Sequence, residues 1–284
     1  MMARIKNALR PLIRKWNETL DVERIDVPLQ GLPSALDGFA IAVIADMHIR
    51  TLSPYHASIL AAARDARPDC VAIAGDIIDE RTVLIDSLTP FFTELAAIAP
   101  TVAILGNNDC MAGTIDTLRA MYRRSGVILL ENEQRLLPVA GGALQITGLM
   151  DPRAQACGIA PARDHVQQEE ASYSPLPDAI RPKKETEDTI WPSILLAHQP
   201  QLVAEYAPLK PSLIISGHAH GGQFRLPGIG GLYAPGQGVF PRLTSGLYHF
   251  GDTQLIVSRG LGNHEFPFRL NNHPHIPVVV LRQA

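Results

Sequence analysis

At 284 residues and 46% hydrophobic composition, the chain is long enough for one large or two small globular domains with a sizeable core. Its formal net charge of −3 argues against the broad basic face of a nucleic-acid binder, so an anionic ligand has to be held by a local feature such as metal ions. Cys70, Cys110 and Cys157 lack the paired spacing of a zinc cluster and read as reduced and incidental, which favours a cytoplasmic setting. No run of about 18 apolar residues occurs, which excludes a spanning helix.

Residues 3–16 place Ile5, Leu9, Leu12, Ile13 and Trp16 near one side of a helix, with Arg4, Lys6, Arg10, Arg14 and Lys15 supplying positive charge. A signal peptide is not indicated, because no apolar h-region or small-residue cleavage site is present. Two readings stand: residues 1–16 make peripheral contact with an anionic membrane at its inner face, or they form an amphipathic helix packed on its own domain. Residues 22–27 alternate as a strand. Residues 1–37 are thus an arm and first strand, ahead of a catalytic domain over 38–284.

Residues 40–45 are a short apolar run ending at Asp46, the pattern of a buried strand that delivers a polar residue at its C-terminal end. The pattern recurs at residues 70–74, 101–105, 194–197 and 213–215. Ser53-Pro54 and Thr89-Pro90 open helices to about residues 66 and 98, giving a βαβ alternation and a partly parallel sheet. Past Gly126 short strands follow one another, roughly 127–131, 135–139 and 143–149, and strand signals return near 247–250, 253–258 and 277–282. The expected architecture is α/β: a four-layer α/β/β/α sandwich of two mixed sheets flanked by helices. Residues 151–190 lack clear periodicity and read as a long surface insertion, either a substrate lid or a mobile insert.

The strand ends carry Asp46-x-His48, Gly75-Asp76-x-x-Asp79, Gly106-Asn107-Asn108-Asp109, His198 and Gly217-His218-x-His220. Singly each is weak, since Gly-Asp is often a turn and a lone histidine is often structural. Jointly they converge on one edge of an open α/β arrangement, where such folds place their ligands. Carboxylates, imidazoles and an amide brought together without Lys or Arg need a cation to neutralise them.

This motif series resembles that of the calcineurin-like metallophosphoesterases, whose signature runs Asp-x-His, Gly-Asp-x-x-Asp, Gly-Asn-His-Asp/Glu, His, Gly-His-x-His. Gly221-Gly222-Gln223, Ser258-Arg259-Gly260-Leu261-Gly262 and Pro267-Phe268-Arg269 resemble its bacterial membrane-associated or envelope branch. The resemblance implies one metal held by Asp46, His48, Asp76 and His220, and a second held by Asp76, Asn107, His198 and His218. Asp76 then bridges two divalent cations, with Mn, Fe or Zn best matched to the donor set. It further implies hydrolysis of a phosphodiester or pyrophosphate bond in a small phosphorylated substrate by a metal-bridged hydroxide. Asp79 or Asp109 is expected to accept from a ligand histidine.

Asn108 stands where the family has the histidine of Gly-Asn-His-Asp/Glu, and an amide cannot act as a general acid. The change points away from alkyl monoesters and toward leaving groups that need little protonation. Asn108 is expected to donate a neutral hydrogen bond to a phosphoryl oxygen, and Asn108, Asp109 and His264 are the expected catalytic residues. His264 belongs to Gly262-Asn263-His264-Glu265, which fits the third motif but falls after Gly-His-x-His, so it reads either as a turn or as a replacement acid. Arg259 and Arg269 are expected to clamp a phosphate or to pair with surface acids. Competing readings are a non-catalytic metal-binding scaffold of the same fold and a nucleotide-diphosphate-lipid pyrophosphatase. A nuclease is disfavoured by the missing basic stripe and aromatic platform.

Overall fold

The computed structural model describes residues 17, 19–139, 142–161, 192–263 and 266–284. The expected helix over 3–16, most of the 151–190 insertion and His264 lie outside the described residues. In chain order the strands are β1 (Asp21–Leu29), β2 (Ala40–Ile44), β3 (Cys70–Ala74), β4 (Thr101–Ile104), β5 (Ile128–Leu129), β6 (Glu133–Val139), β7 (Gly142–Gly148), β8 (Ser193–Leu196) and β9 (Leu213–Ser216). Then come β10 (Arg225–Leu226), β11 (Gly230–Gly231), β12 (Tyr233–Ala234), β13 (Gly238–Val239), β14 (Gly246–Phe250), β15 (Thr253–Val257) and β16 (His275–Gln283).

Twelve of these strands form two six-stranded mixed sheets. The first runs β1-β16-β2-β3-β4-β5, parallel except where β16 meets β2. The second runs β14-β15-β9-β8-β7-β6, with antiparallel pairs only at its two edges. β1, read from the sequence as part of the arm ahead of the catalytic domain, is the edge strand of the first sheet and pairs along its whole length with β16.

Period-two alternation explains the layering. On β2, Ala42 and Ile44 face an apolar layer shared with Ile59, Phe92 and Tyr122, whereas Ile41 and Val43 face one shared with Ile194, Leu213 and Ile256. The first layer lies under helices α1 (Pro54–Asp65), α2 (Thr89–Ala96) and, beyond the five-residue α3 (Asn107–Met111), α4 (Ile115–Ser125). The second layer joins the two sheets. A third, with Leu195, Ile214 and Leu255, packs the far side of the second sheet against Val203 and Tyr206. These last two belong to α6 (Val203–Tyr206), which follows the short α5 (Pro152–Ala156). Burying one such aliphatic side chain stabilises the fold by about 1.5–3 kcal/mol.

α1 starts where Ser53 precedes Pro54, and His56 Nδ1 accepts the Ser53 N–H at 3.0 Å. α4 was not read from the sequence, although Leu118, Met121, Tyr122 and Ser125 make a buried stripe, and Gly126 ends it at φ 77°. β2 to β5 of the first sheet run together, with β1 and β16 reversed, and β7, β8, β9 and β15 run together in the second. At their C-terminal ends β2, β3, β4, β8 and β9 run directly into the polar motifs.

Candidate metal centre

Two neighbouring loops build the floor of the site. The Asp46, His48 and Ile49 N–H groups donate to the carbonyls of Gly75, Asp76 and Ile77 at 3.0, 3.2 and 2.8 Å, so the loops after β2 and β3 run side by side. The loop after β9 is tied in when the His218 N–H donates to the Asp46 carboxylate at 2.9 and 3.0 Å. Asp46, His48, Asp76, His218 and His220 all hold left-handed backbone, with φ of 51°, 46°, 55°, 67° and 46°. That conformation is uncommon for residues with a side chain, although Asp and His adopt it more readily than most. Strain of this kind gathers where the surroundings force a side chain into a working position.

Six side chains are buried here as two groups, Asp46 with His48 and His220, and Asp76 with His198 and His218. Within each group one donor atom per residue lies within 4.8 Å of the others. His198 Nδ1–H donates to the Ala74 carbonyl at 2.7 Å, which turns Nε2 toward Asp76 Oδ2 at 3.2 Å and Asp46 Oδ1 at 4.0 Å. The Nε2 atoms of His48 and His220 face each other at 3.2 Å, with the rings stacked at 5.1 Å. Asn107 Oδ1 is buried with no hydrogen-bond partner among the described residues, and Asn107 lines a cavity with Asp76, His218 and His220. An orphaned amide oxygen beside two carboxylate–imidazole groups suits a pair of cations, and the Asp and His clusters fit a dinuclear centre.

The electrostatics agree. Burial pushes the Asp46 carboxyl up to about 7, against the pull of His198. Burial and then the neighbouring Asp76 push Asp109 up to about 7. Burial acts on Asp76 in the same sense, yet His198, His48 and His218 hold it below the usual carboxylate range. His198 is raised to about 10 despite burial because Asp76 and Asp46 face it. A bound cation would relieve this crowding of buried negative charge.

The remaining expected residues have defined places. Asn108 donates to Asp76 twice, from its backbone N–H to Oδ1 at 2.7 Å and from Nδ2 to Oδ2 at 2.6 Å. Asp109 Oδ2 accepts the N–H groups of Asp76 and Gly106 at 2.8 and 2.9 Å, and Oδ1 those of Ile77 and Ile78 at 2.9 and 3.0 Å. Asp79 bonds Arg81, through its backbone N–H at 2.8 Å and its guanidinium at 3.1 Å. The acceptor expected of Asp79 or Asp109 is therefore, for His198, the Ala74 carbonyl, which no sequence motif reveals. Arg259 pairs with Asp21 and Glu23 of β1. Arg269 is fully buried and donates to the carbonyls of Arg259 and Gly262 at 2.7 and 2.6 Å and to Asn263 Oδ1 at 3.2 Å, so among the described residues it meets main chain and an amide rather than a surface acid.

Sequence reasoning also missed Met111, Gln223, Tyr233, Pro235 and Phe266, which line the cavity in front of the site. Three of them sit in or beside the small β10–β13 hairpins, whose two-residue strands leave little periodic signal. A Cβ on Gly106 would lie 2.2 Å from Asp76 Oδ1, so only glycine admits that carboxylate.

Two mixed sheets with a buried Asp and His centre at their shared edge define a metal-dependent phosphoester hydrolase. The calcineurin-like phosphoesterase family model matches residues 39–222, and the chain belongs to that family. It is similar to the uncharacterized metallophosphoesterase YkuE of Bacillus subtilis, 28% identical over 259 residues that cover 89% of this chain and 82% of YkuE. It is similar also to the phosphodiesterase YaeI of Escherichia coli, 25% identical over 248 residues, 86% of this chain and 82% of YaeI. Among solved structures, the sulfate thiohydrolase SoxB of Thermus thermophilus is alike in fold, with a TM-score of 0.50 and 11% identity over 87% of this chain and 57% of SoxB.

Proposed function

We propose that the protein hydrolyses a phosphodiester or pyrophosphate bond, with Asp46, His48, Asp76 and His220 holding one divalent cation and Asp76, Asn107, His198 and His218 the other. The observation that carries this is the pairing of two buried Asp and His groups with the unpartnered Asn107 Oδ1. The mixed oxygen and imidazole donors favour Mn, Fe or Zn. Held by these residues, two such cations would supply Lewis acidity to the phosphoryl oxygens and a nucleophilic water at neutral pH.

The chain's own part is to place these donors and exclude alternatives. Asp109 is a positioning residue, fixing the loop that carries Asp76 through four backbone N–H groups. Asn108 brings an amide that titrates at no working pH, which suits a leaving group such as a phosphate or a phenolate. The similarity to a phosphodiesterase supports a diester over a monoester.

The test is to strip the purified protein with chelator and restore Mn, Fe, Zn or Mg. Aryl phosphodiester, aryl phosphomonoester and nucleotide-diphosphate sugar are then assayed in parallel. Metal-dependent turnover of the diester or the diphosphate is expected; two bound cations without turnover of any ester would favour the non-catalytic scaffold instead.

A peripheral membrane contact through residues 1–16 is part of the same reading. Asn17 Oδ1 accepts from Asn263 Nδ2 at 2.7 Å and from the Arg269 N–H at 3.0 Å, so the chain enters the described structure beside the site. No helix of the described residues is long and apolar enough to cross a membrane. Co-sedimentation with anionic vesicles, lost on deleting residues 1–16, is the expected result.

A further inference from the structure

Two cavities border the candidate metal centre, one at Asp76, Asn107, His218 and His220 and one at His48. The first, of about 150 Å³, is bounded beyond the proposed ligands by Met111, Tyr233, Pro235 and Phe266. Phe266 packs edge-on against Phe224 and Tyr233 at 5.1 and 6.4 Å, and Phe224 meets Phe268 at 5.3 Å. Gln223 Nε2 donates to the Phe268 carbonyl at 2.6 Å and fixes this wall to the loop that carries His220. Met111 and Phe266 are nonetheless 43% and 37% exposed, apolar surface left open at the mouth of a polar centre.

The second cavity, of about 450 Å³, opens beside His48 and has Arg50, Thr51, His56, Arg81 and Asn263 in its wall, with no carboxylate among its lining residues. Arg50 follows His48 by two positions, is exposed, and has no hydrogen bond or ion pair among the described residues. Arg81 is shared with Asp79 and Glu80 at 3.1 and 3.5 Å. His56 accepts the Ser53 N–H on Nδ1, which places its own proton on Nε2, and burial holds its pKa below the ordinary value, so it is a neutral donor. Arg50, the neutral donors and an Arg81 whose charge Asp79 and Glu80 partly offset make this a place for an anion, on a chain whose net charge is negative. The volume is that of an ordinary ligand pocket rather than of a single ion.

Resting on the phosphoesterase reading above, we propose that the substrate is an asymmetric phosphodiester or pyrophosphate: its apolar or aromatic arm lies against Phe266 and Tyr233, and its other arm carries a further phosphate that is held by Arg50 and Arg81. The scissile phosphate sits between the arms. Arg50 is a specificity-determining residue for the second phosphate and takes no part in bond cleavage.

The experiment compares two 4-nitrophenyl phosphodiesters on the metal-loaded protein, one with a methyl second arm and one with a 2-phosphoethyl second arm. The wild type is expected to favour the phosphate-bearing ester by about tenfold or more in kcat/KM, the scale of one charged hydrogen bond. Arg50→Ala should abolish most of that preference, Arg50→Lys should restore part of it, and Arg50→Glu should invert it. Phe266→Ala should lower kcat/KM on both aryl esters alike. Cleavage of both esters without preference, or a preference that survives Arg50→Glu, overturns the assignment and leaves the phosphoesterase reading standing. If neither ester is cleaved with any metal, that reading fails instead. The cavity is then judged by calorimetric titration of inorganic pyrophosphate into metal-stripped protein, where binding that is lost in Arg50→Ala supports it and no binding overturns it.

Discussion

Asp76 and Asp109 clasp each other through their main chains. The Asp109 carboxylate accepts the Asp76 N–H at 2.8 Å, while the Asp76 carboxylate accepts the N–H of Asn108, next to Asp109, at 2.7 Å. The loops after β3 and β4 are thereby locked in register, and the carboxylate proposed to bridge the cations has no freedom to swing. Asp109→Asn replaces one acceptor oxygen with an NH2 group facing two N–H donors. It is expected to destabilise the fold by about 2–4 kcal/mol and to lower metal content, read by denaturant unfolding and elemental analysis.

Asp76→Asn removes the charge shared by both proposed sites. Both cations are expected to be lost, and turnover to fall by about 10³-fold or more. Two cations per chain in the purified variant would contradict the bridging role.

Asn108→His supplies the acid that an amide lacks. With an alkoxide leaving group the rate is expected to rise by up to about 10²-fold, and with 4-nitrophenolate to change little. The ratio of the two rates is the informative quantity, because the substitution also removes the Nδ2 bond to Asp76 Oδ2, an effect common to both esters. An unchanged ratio would remove leaving-group tuning as the reason for asparagine.

Gly106→Ala tests how closely the site is packed. Gly106 has φ −97° and ψ 179°, which alanine adopts freely, so backbone strain is no obstacle. Its Cβ would instead lie 2.2 Å from Asp76 Oδ1 and 2.6 Å from the Asp76 nitrogen. A folded protein destabilised by about 1–3 kcal/mol, with weakened metal binding, is expected in thermal melts with and without Mn.

His275 predicts a pH dependence away from the centre. It is fully buried at the start of β16, its Nδ1 accepts the Arg259 N–H at 3.4 Å, and its Nε2 is 3.1 Å from Glu23 Oε2 on β1. Burial holds its pKa below the ordinary value, with Glu23 and Asp21 opposing and Arg259 reinforcing. As pH falls through about 6.5 the unfolded chain takes up the proton first. The stabilisation is therefore present above that pH and lost below it. Unfolding free energy should decline from pH 7 to pH 5, and the decline should be shallower in His275→Gln; parallel profiles would assign the dependence to other groups.

Most strands were legible because short continuous runs of Ile, Val, Leu and Ala end abruptly in polar residues, as at Ile44-Ala45-Asp46. The same signal gave the proposed ligands, since each stands at the end of such a run. α4 escaped because Arg119, Arg123 and Arg124 break up the apolar stripe of Leu118, Met121 and Tyr122 when the sequence is read linearly. Arg269 was misjudged for a different reason. Arginine is seldom buried without a carboxylate, and the carbonyls of Arg259 and Gly262 that take its donors become neighbours only through folding. The same holds for the Ala74 carbonyl behind His198. Main-chain acceptors carry no residue identity, so the atoms that orient the site are the part least visible in a sequence.

The left-handed backbone at Asp46, His48, Asp76, His218 and His220 bears on what kind of protein this is. Asp and His tolerate that backbone better than most residues with a side chain, and five such turns fall in the loops after β2, β3 and β9. The turns thereby bring five carboxylate and imidazole side chains into two buried groups, a placement that serves the holding of cations and adds nothing to the packing of the sheets behind it.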